Sequence, residues 1–229
     1  MPTITDEEFG TITVRRSARA TQVRIRAAPD GTLRASMPLY APLFLLKRLI
    51  KTSRIQLRQM LEQAAPDTTY HDGQQIGKSH TLIVRPSTKT TISRSKQHIV
   101  LSLAPSKTLN DPDVIRMIRE ASISALRLEA KSYLPKRLRY LAEQHGFRYN
   151  KVRFSHASSR WGSCSSEKTI SLNIALMKLP FELIDYVITH ELAHTVELNH
   201  SDQFWRLVEQ AHPNYKADRK RLKQESPSI

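Results

Sequence analysis

The segment His190-Glu191-Leu192-Ala193-His194 sets two imidazoles four residues apart, with a carboxylate between them. On a helix, a four-residue step turns about 40° and rises about 6 Å, so both rings lean toward one point. That spacing suits a single Zn²⁺ held at about 2.0–2.1 Å by a nitrogen from each ring. Glu191 lies on the adjacent stripe, where it reaches a water on the ion without being a ligand itself. A catalytic zinc needs a third protein ligand and an open fourth position. His200 follows His194 by six residues, a rotation of about 240° in an unbroken helix, so it can join the site only if the helix stops first. Asn199 tolerates the left-handed backbone of a helix C-cap, and Ser201 with Asp202 begins a new helix. The expectation is a helix from Pro180 to Leu198, a break, and His200 swinging back to the metal from the turn. Glu197 and Glu209 are the competing third ligands.

The polar stretch over residues 158–165 is the natural rim of such a site. Arg160 and Trp161 are candidates for contacting substrate, together with Asn173 and Tyr215. Tyr215, Arg160 and the free face of the zinc are the options for stabilising an oxyanion. Cys164, the only cysteine, has no basic neighbour in sequence to activate it and is expected to be inert packing. Phe204 and Trp205 are expected to pack the second helix behind the site. His71, His80, His98, His145, His156 and His212 lack ligand spacing and are expected to take ordinary surface or core roles.

The elements that must position these residues follow from periodicity. Residues 11–37 alternate as strands, with Pro29-Asp30-Gly31 as a hairpin turn. Residues 41–65 read as one amphipathic basic helix, and residues 69–103 as a small antiparallel sheet. A helix starts at Asn110 and Pro112, is interrupted at Pro135, and ends at Gly146. Two extended pieces, 152–156 and 169–174, flank the polar loop, and three helices close the chain. Ser201 caps the second of these, and Pro213 opens the third, a basic helix that reaches about Gln224. No internal repeat is visible. The resulting class is α+β, with a β-rich N-terminal region over residues 1–108 and a catalytic domain over 109–229.

The chain's 229 residues, 39% of them hydrophobic, can bury a real core, which excludes wholesale disorder. A single cysteine excludes an internal disulfide and suits a reducing compartment. The first ten residues carry three acids and no apolar core, and no apolar run approaches a membrane span. A cytoplasmic protein with no membrane partner is expected. The formal net charge is +15, and 25 of the 36 basic residues lie in residues 1–150, with 12 of the 21 acidic ones. Such a surface attracts polyanions, so the N-terminal region is a possible tether to nucleic acid.

The segments Arg160-Trp161-Gly162-Ser163-Cys164-Ser165, Ile170-Ser171-Leu172-Asn173, Ile184-Asp185-Tyr186-Val187 ahead of HELAH, Asn199-His200-Ser201 and Phe204-Trp205 together resemble the YgjP-type metal-dependent hydrolases, relatives of the SprT-like and WLM zinc metallopeptidases. Arg16-Ser17-Ala18-Arg19-Ala20 and the Asp30-Gly31 turn extend the resemblance over most of the chain. The resemblance implies a zincin-like catalytic fold in which His190, His194 and His200 hold zinc and Glu191 is the general base. It leaves the substrate open. The ligand spacing also equals that of the metzincins, but Glu197 stands where that class has glycine, and no Met-turn follows.

The leading expectation is a zinc metallopeptidase acting on a peptide or protein. One alternative is a metal-dependent phosphohydrolase of nucleotides, which the positive charge favours. The few basic residues flanking HELAH, and the prospect of strand 169–174 offering its edge to an extended peptide, favour the peptidase. A third reading, nucleic-acid binding around a structural zinc, is opposed by the open fourth position, since structural sites close on four protein ligands.

Overall fold

The computed structural model describes residues 2–28, 32–64 and 69–229. The expected turn at Pro29-Asp30-Gly31 lies outside the described residues. The chain forms two compact units, Met1–Thr68 and Thr69–Ile229. The division falls well before the 108/109 boundary expected from sequence. The reason is packing: Leu82, Ile99 and Leu101, from the strands assigned to the N-terminal region, share one core with Val114, Ile118 and Leu126 of the long helix that follows.

In the first unit, β1 (Thr3–Asp6), β2 (Gly10–Arg16), β3 (Arg24–Ala27) and β4 (Leu33–Met37) form a sheet of order β1-β2-β4-β3. Its inward residues Ile12, Val14, Leu33, Ala35 and Met37 pack against Leu46, Ile50 and Leu57. Those three belong to two helices, α1 (Leu43–Thr52) and α2 (Arg54–Ala64), where one continuous helix was expected. The break falls at Ser53, whose backbone leaves the helical region at φ −115° and ψ 21°.

The second unit contains two three-stranded sheets. One has the order β5 (Thr81–Pro86), β7 (His98–Leu103), β6 (Thr91–Ser95), and the other β8 (Lys151–Ser155), β10 (Thr169–Asn173), β9 (Gly162–Cys164). The sheet over residues 69–103 is therefore mixed, not antiparallel: β6 and β7 form the hairpin, while β5 joins β7 in parallel. The same arrangement recurs as β2-β4-β3 and as β8-β10-β9. In each case a hairpin forms from local sequence and the preceding strand then pairs in parallel with its second strand. Hairpins are set by short-range turn chemistry, whereas the parallel partner comes from the packed core, which period-2 patterning does not report. One consequence concerns residues 169–174. They form the central strand of their sheet and enter a 3-10 turn (Ile174–Lys178), and the sheet's edges belong to β8 and to β9, the latter a strand within the stretch expected to be a polar loop.

The backbone of this unit is α3 (Pro112–His145), 34 residues long. It ends as expected at Gly146, whose φ of 71° is the left-handed conformation glycine adopts without strain. It does not break at Pro135. Proline removes one helical hydrogen bond, but the buried stripe of Val114, Ile118, Leu126, Leu134, Leu138 and Leu141 runs on through both sides of that point and holds the helix in register. The start differs too, since Asp111 occupies the cap position in place of Asn110. Arg137 of α3 grips Asp185 with two parallel bonds, Nε to Oδ1 at 2.7 Å and Nη2 to Oδ2 at 2.6 Å. This fork ties α3 to α4 (Phe181–Ala193), the helix that carries HELAH. Among the described residues, no helix is long and apolar enough to cross a membrane.

A second polar clamp fixes the start of β5. The Glu129 carboxylate of α3 accepts the amides of Lys78 (2.6 Å), Ser79 (3.0 Å) and His80 (3.1 Å), and the His80 Nδ1–H at 2.5 Å. Gly77 lies so close to this carboxylate that any Cβ there would collide with it and with Leu126. Burial pushes the Glu129 pKa up, but the hydrogen bonds from His80 and from the Lys78 and Ser79 amides outweigh it, and the net shift is downward from 4.5. The resulting stabilisation is complete above that ordinary value and is lost as pH falls below it, through the lower folded pKa. Glu129→Gln turns an amide toward backbone N–H donors, and should lower unfolding stability by about 3 kcal/mol. Urea unfolding at pH 7 and pH 3.5 checks both points: the deficit of the variant should shrink at the lower pH as the wild type loses its carboxylate.

Candidate active site

The helix α4 presents Leu183, Ile184, Val187, Ile188 and Leu192 to the core, which locks its rotation. With the axis fixed, His190 and Glu191 have fixed directions, and the chain leaves the helix immediately after them. His194 is the C-cap, with φ −65° and ψ −16°. The terminal carbonyls find local partners: the Thr195 hydroxyl donates to Leu192 O at 2.7 Å, and the Thr195 and Val196 amides close tight turns onto Leu192 and Ala193. The expected continuation to Leu198, with a left-handed cap at Asn199, is thus replaced by an earlier stop. Among the described residues, the only non-glycine positions with positive φ are Lys96 and Lys168.

The early stop lets His200 come back. Its Nε2 lies 3.1 Å from Nε2 of His190. Two nitrogens sharing one tetrahedral metal at about 2.0–2.1 Å would stand about 3.3 Å apart. One ligand nitrogen from each of His190, His194 and His200 falls within 4.8 Å of the others. Neither Glu197 nor Glu209 belongs to the cluster. Glu197 contributes its backbone carbonyl instead, which accepts Nδ1–H of His194 at 3.1 Å and leaves Nε2 of that ring as the free ligand atom. Glu209 lies on the surface, 3.5 Å from Lys216.

The floor of the cluster is Phe204, fully buried, with ring centroids 4.9 Å from His190, 4.5 Å from His194 and 4.8 Å from His200. It sits on α5 (Asp202–Ala211), which begins where the Ser201 hydroxyl accepts the Phe204 amide at 3.3 Å, as expected. Trp205 stacks on His200, with centroids 5.6 Å apart and planes at 22°. Burial, with the like charges of His194, His200 and Arg219, drives the His190 pKa down to about 3. His194 is lowered for the first of these reasons as well. Both rings are therefore neutral at pH 7, the form that ligates a metal.

Glu191 is buried beside the cluster, and burial lifts its pKa to about 8 against the pull of Arg160. Its Oε2 has no hydrogen-bond partner among the described residues. The carboxylate lies against the backbone of β9, so closely that a Cβ on Gly162 would stand 2.5 Å from Glu191 Oε1. Gly162 is the position beside Glu191 that residue-by-residue reading passed over. Its signal was a glycine inside an otherwise extended polar run, which marks close approach by another group.

The rim candidates separate into two kinds. Arg160 is exposed and electrostatically coupled to Glu191, and Trp161 is half-buried against the core. Asn173 and Tyr215 are not at the rim. Asn173 is fully buried, and its amide donates to Ala157 O at 2.6 Å and Arg160 O at 2.8 Å while its oxygen accepts the Ala175 amide. It pins the loop that leads into β9, which is why a polar side chain ends a buried strand. Tyr215, in α6 (Tyr215–Leu222), stacks behind Trp205 at 5.5 Å. Burial, with the nearby Glu191 charge, raises the Cys164 thiol to about 11, so it stays protonated and inert, as expected.

A YgjP-like metallopeptidase domain model matches residues 21–225. A search among curated proteins found no match. Among solved structures, the metallopeptidase zymogen abylysin of Pyrococcus abyssi is similar over 39% of this chain and 91% of its own, at 28% identity and a TM-score of 0.37.

The geometry distinguishes the third-ligand candidates by experiment. Zinc content of the purified full chain, measured by mass spectrometry, should fall from about one per chain to near zero in His200→Ala and stay unchanged in Glu197→Ala, which keeps the backbone carbonyl that orients His194. The opposite pattern would assign the third ligand to Glu197.

Proposed function

Because this chain belongs to the YgjP-like metallopeptidase domain family, we propose that it is a zinc-dependent peptidase in which His190, His194 and His200 hold the ion and Glu191 is the general base. The observation that carries this reading is the convergence of three imidazoles beside a buried carboxylate that lacks a partner among the described residues on one oxygen. The donor set fits zinc: three nitrogens, no thiolate, and room for a fourth ligand, the pattern of catalytic sites. A zinc ion there supplies Lewis acidity, polarising a scissile carbonyl and lowering the pKa of a water toward 7.

The protein's own groups do the rest. Glu191 accepts the proton of the attacking water and returns it to the leaving amine, and its upward-shifted pKa suits both roles near neutrality. The contact with Gly162 holds the carboxylate still. The Glu197 carbonyl fixes the tautomer and orientation of His194, and Phe204 with Trp205 keeps solvent from the underside of the rings.

The strand β9 supports a peptide as the substrate. The Ser165 amide bonds to Thr169 O at 3.0 Å, and the Asn173 amide to Trp161 O at 2.8 Å. In an antiparallel pair these bonds mark every second residue, so positions 161, 163 and 165 face β10, and Gly162 and Cys164 turn their N–H and C=O to the open edge. An extended peptide adding to that edge would run past Glu191. Phosphoester hydrolysis of nucleotides and a structural zinc gain nothing comparable: the family is a peptidase family, and a three-histidine set is not closed.

The decisive measurement compares the zinc-loaded full chain with Glu191→Gln on a mixture of unstructured peptides. The variant should retain its metal and lose about 10²–10⁴ in hydrolysis rate. Retained activity in the variant would remove Glu191 from its assigned role.

A further inference from the structure

The sheet that carries β9 has two unlike faces. Ile170 and Leu172 of β10 are fully buried on the side of the core. On the opposite side, Arg153, Ser171 and Ser163 stand in one row across β8, β10 and β9, because Ser171 pairs with both of the others. Thr169 and Lys151 form the next row. This face is a groove of about 550 Å³, walled by the hydroxyl residues and by Arg153 and Arg160. Both arginines are exposed. Among the described residues neither is held in an ion pair, although Glu167 lines the same groove. Two uncommitted guanidiniums over a bed of hydroxyl donors form a site for an anion, and against the single Glu167 the balance stays positive.

Its position connects it to the catalytic centre. Arg160 precedes β9 and acts electrostatically on Glu191, while Gly162, two residues on, touches that carboxylate. Side chains of an added strand alternate between the two faces of a sheet. A peptide on the β9 edge therefore sends one set of side chains toward Glu191 and the next set onto the arginine face.

We infer that this groove is a specificity subsite that takes an acidic side chain of the peptide substrate, with Arg153 and Arg160 as its anion-binding residues. The inference rests on the peptidase reading and names its substrate class: extended peptides with Asp or Glu at one fixed position beside the scissile bond. The hydroxyls of Ser163, Ser171 and Thr169 complete the donor set.

Two readouts on the full, zinc-loaded chain test it. The first sequences the cleavage sites that wild type produces, and Glu191→Gln does not, in a peptide digest of an unfolded protein. The second measures polarisation of fluorescent peptides on the inactive Glu191→Gln background, differing only as Glu, Gln, Lys or phosphoserine at the subsite position. Acidic residues should be enriched at one position among the cleavage sites. The Glu peptide should bind about tenfold tighter than its Gln counterpart. Adding Arg153→Gln should erase that preference, and Arg153→Glu should reverse it in favour of Lys, with zinc content unchanged in both as the check on folding. A phosphoserine peptide that outbinds Glu and loses this in Arg153→Glu sustains the subsite and extends it to phosphorylated substrates. Cleavage without acidic enrichment, together with binding indifferent to the Arg153 variants, overturns the subsite and leaves the peptidase standing. If zinc-loaded wild type cleaves nothing that Glu191→Gln spares, the peptidase reading fails and the subsite falls with it.

Discussion

Three imidazoles can meet at one point only if a helix is rigid as far as His194 and absent beyond it, and the structure of the second unit is arranged around that discontinuity. Rigidity comes from burial: Leu183, Ile184, Val187, Ile188 and Leu192 leave α4 no freedom to rotate. The Arg137–Asp185 fork adds a fixed point near its beginning. The stop comes from groups that satisfy helix-end carbonyls locally, the Thr195 hydroxyl above all. A helix running four residues further would carry His200 out of reach.

The second constraint is electrostatic. A carboxylate buried with one unpartnered oxygen is costly, and Glu191 bears that cost as a pKa near 8. Structural carboxylates in the same unit show the alternative. Glu129, similarly sequestered, is surrounded by five hydrogen-bond donors and its pKa falls. The contrast is informative because both carboxylates face a glycine whose missing Cβ makes room for them. Where the surroundings satisfy the charge, the residue holds the fold together. Where they withhold partners on one side, the residue keeps a proton affinity suited to chemistry.

Much of this was legible in the residues. The convergence of the three histidines beside Glu191, the Ser201 cap, the Gly146 stop and the packing role of Phe204 follow from spacing and local conformational preference, which act over a few residues. The errors share one origin. Pro135, the early end of α4, the parallel pairing of β5, and the boundary at 68/69 are all decided by which surfaces meet in the core, and period-3.6 or period-2 patterns carry no record of that. Asn173 shows the limit most clearly. Sequence presents it as a polar residue next to a site, and only the carbonyls of Ala157 and Arg160 above it reveal that it anchors a loop.

The same distinction between total and local charge bears on substrate choice. A net charge of +15 speaks for attraction to any polyanion at long range, and that attraction is screened within about 10 Å at ordinary salt. Specificity needs charges that are placed, unpaired and close to the reacting atoms. Many of the chain's basic groups are not: Arg54 and Arg58 are bound to Glu8, Arg137 to Asp185, and Arg221 to Asp218. Among the described residues, Arg153 and Arg160 differ in having no such partner: both line one groove of the sheet that carries β9, and Arg160 acts electrostatically on Glu191. Two arginines at that address constrain the substrate more tightly than the entire surplus spread over the surface, and they do so in a way compatible with an extended peptide, whose side chains arrive on that face at every second residue.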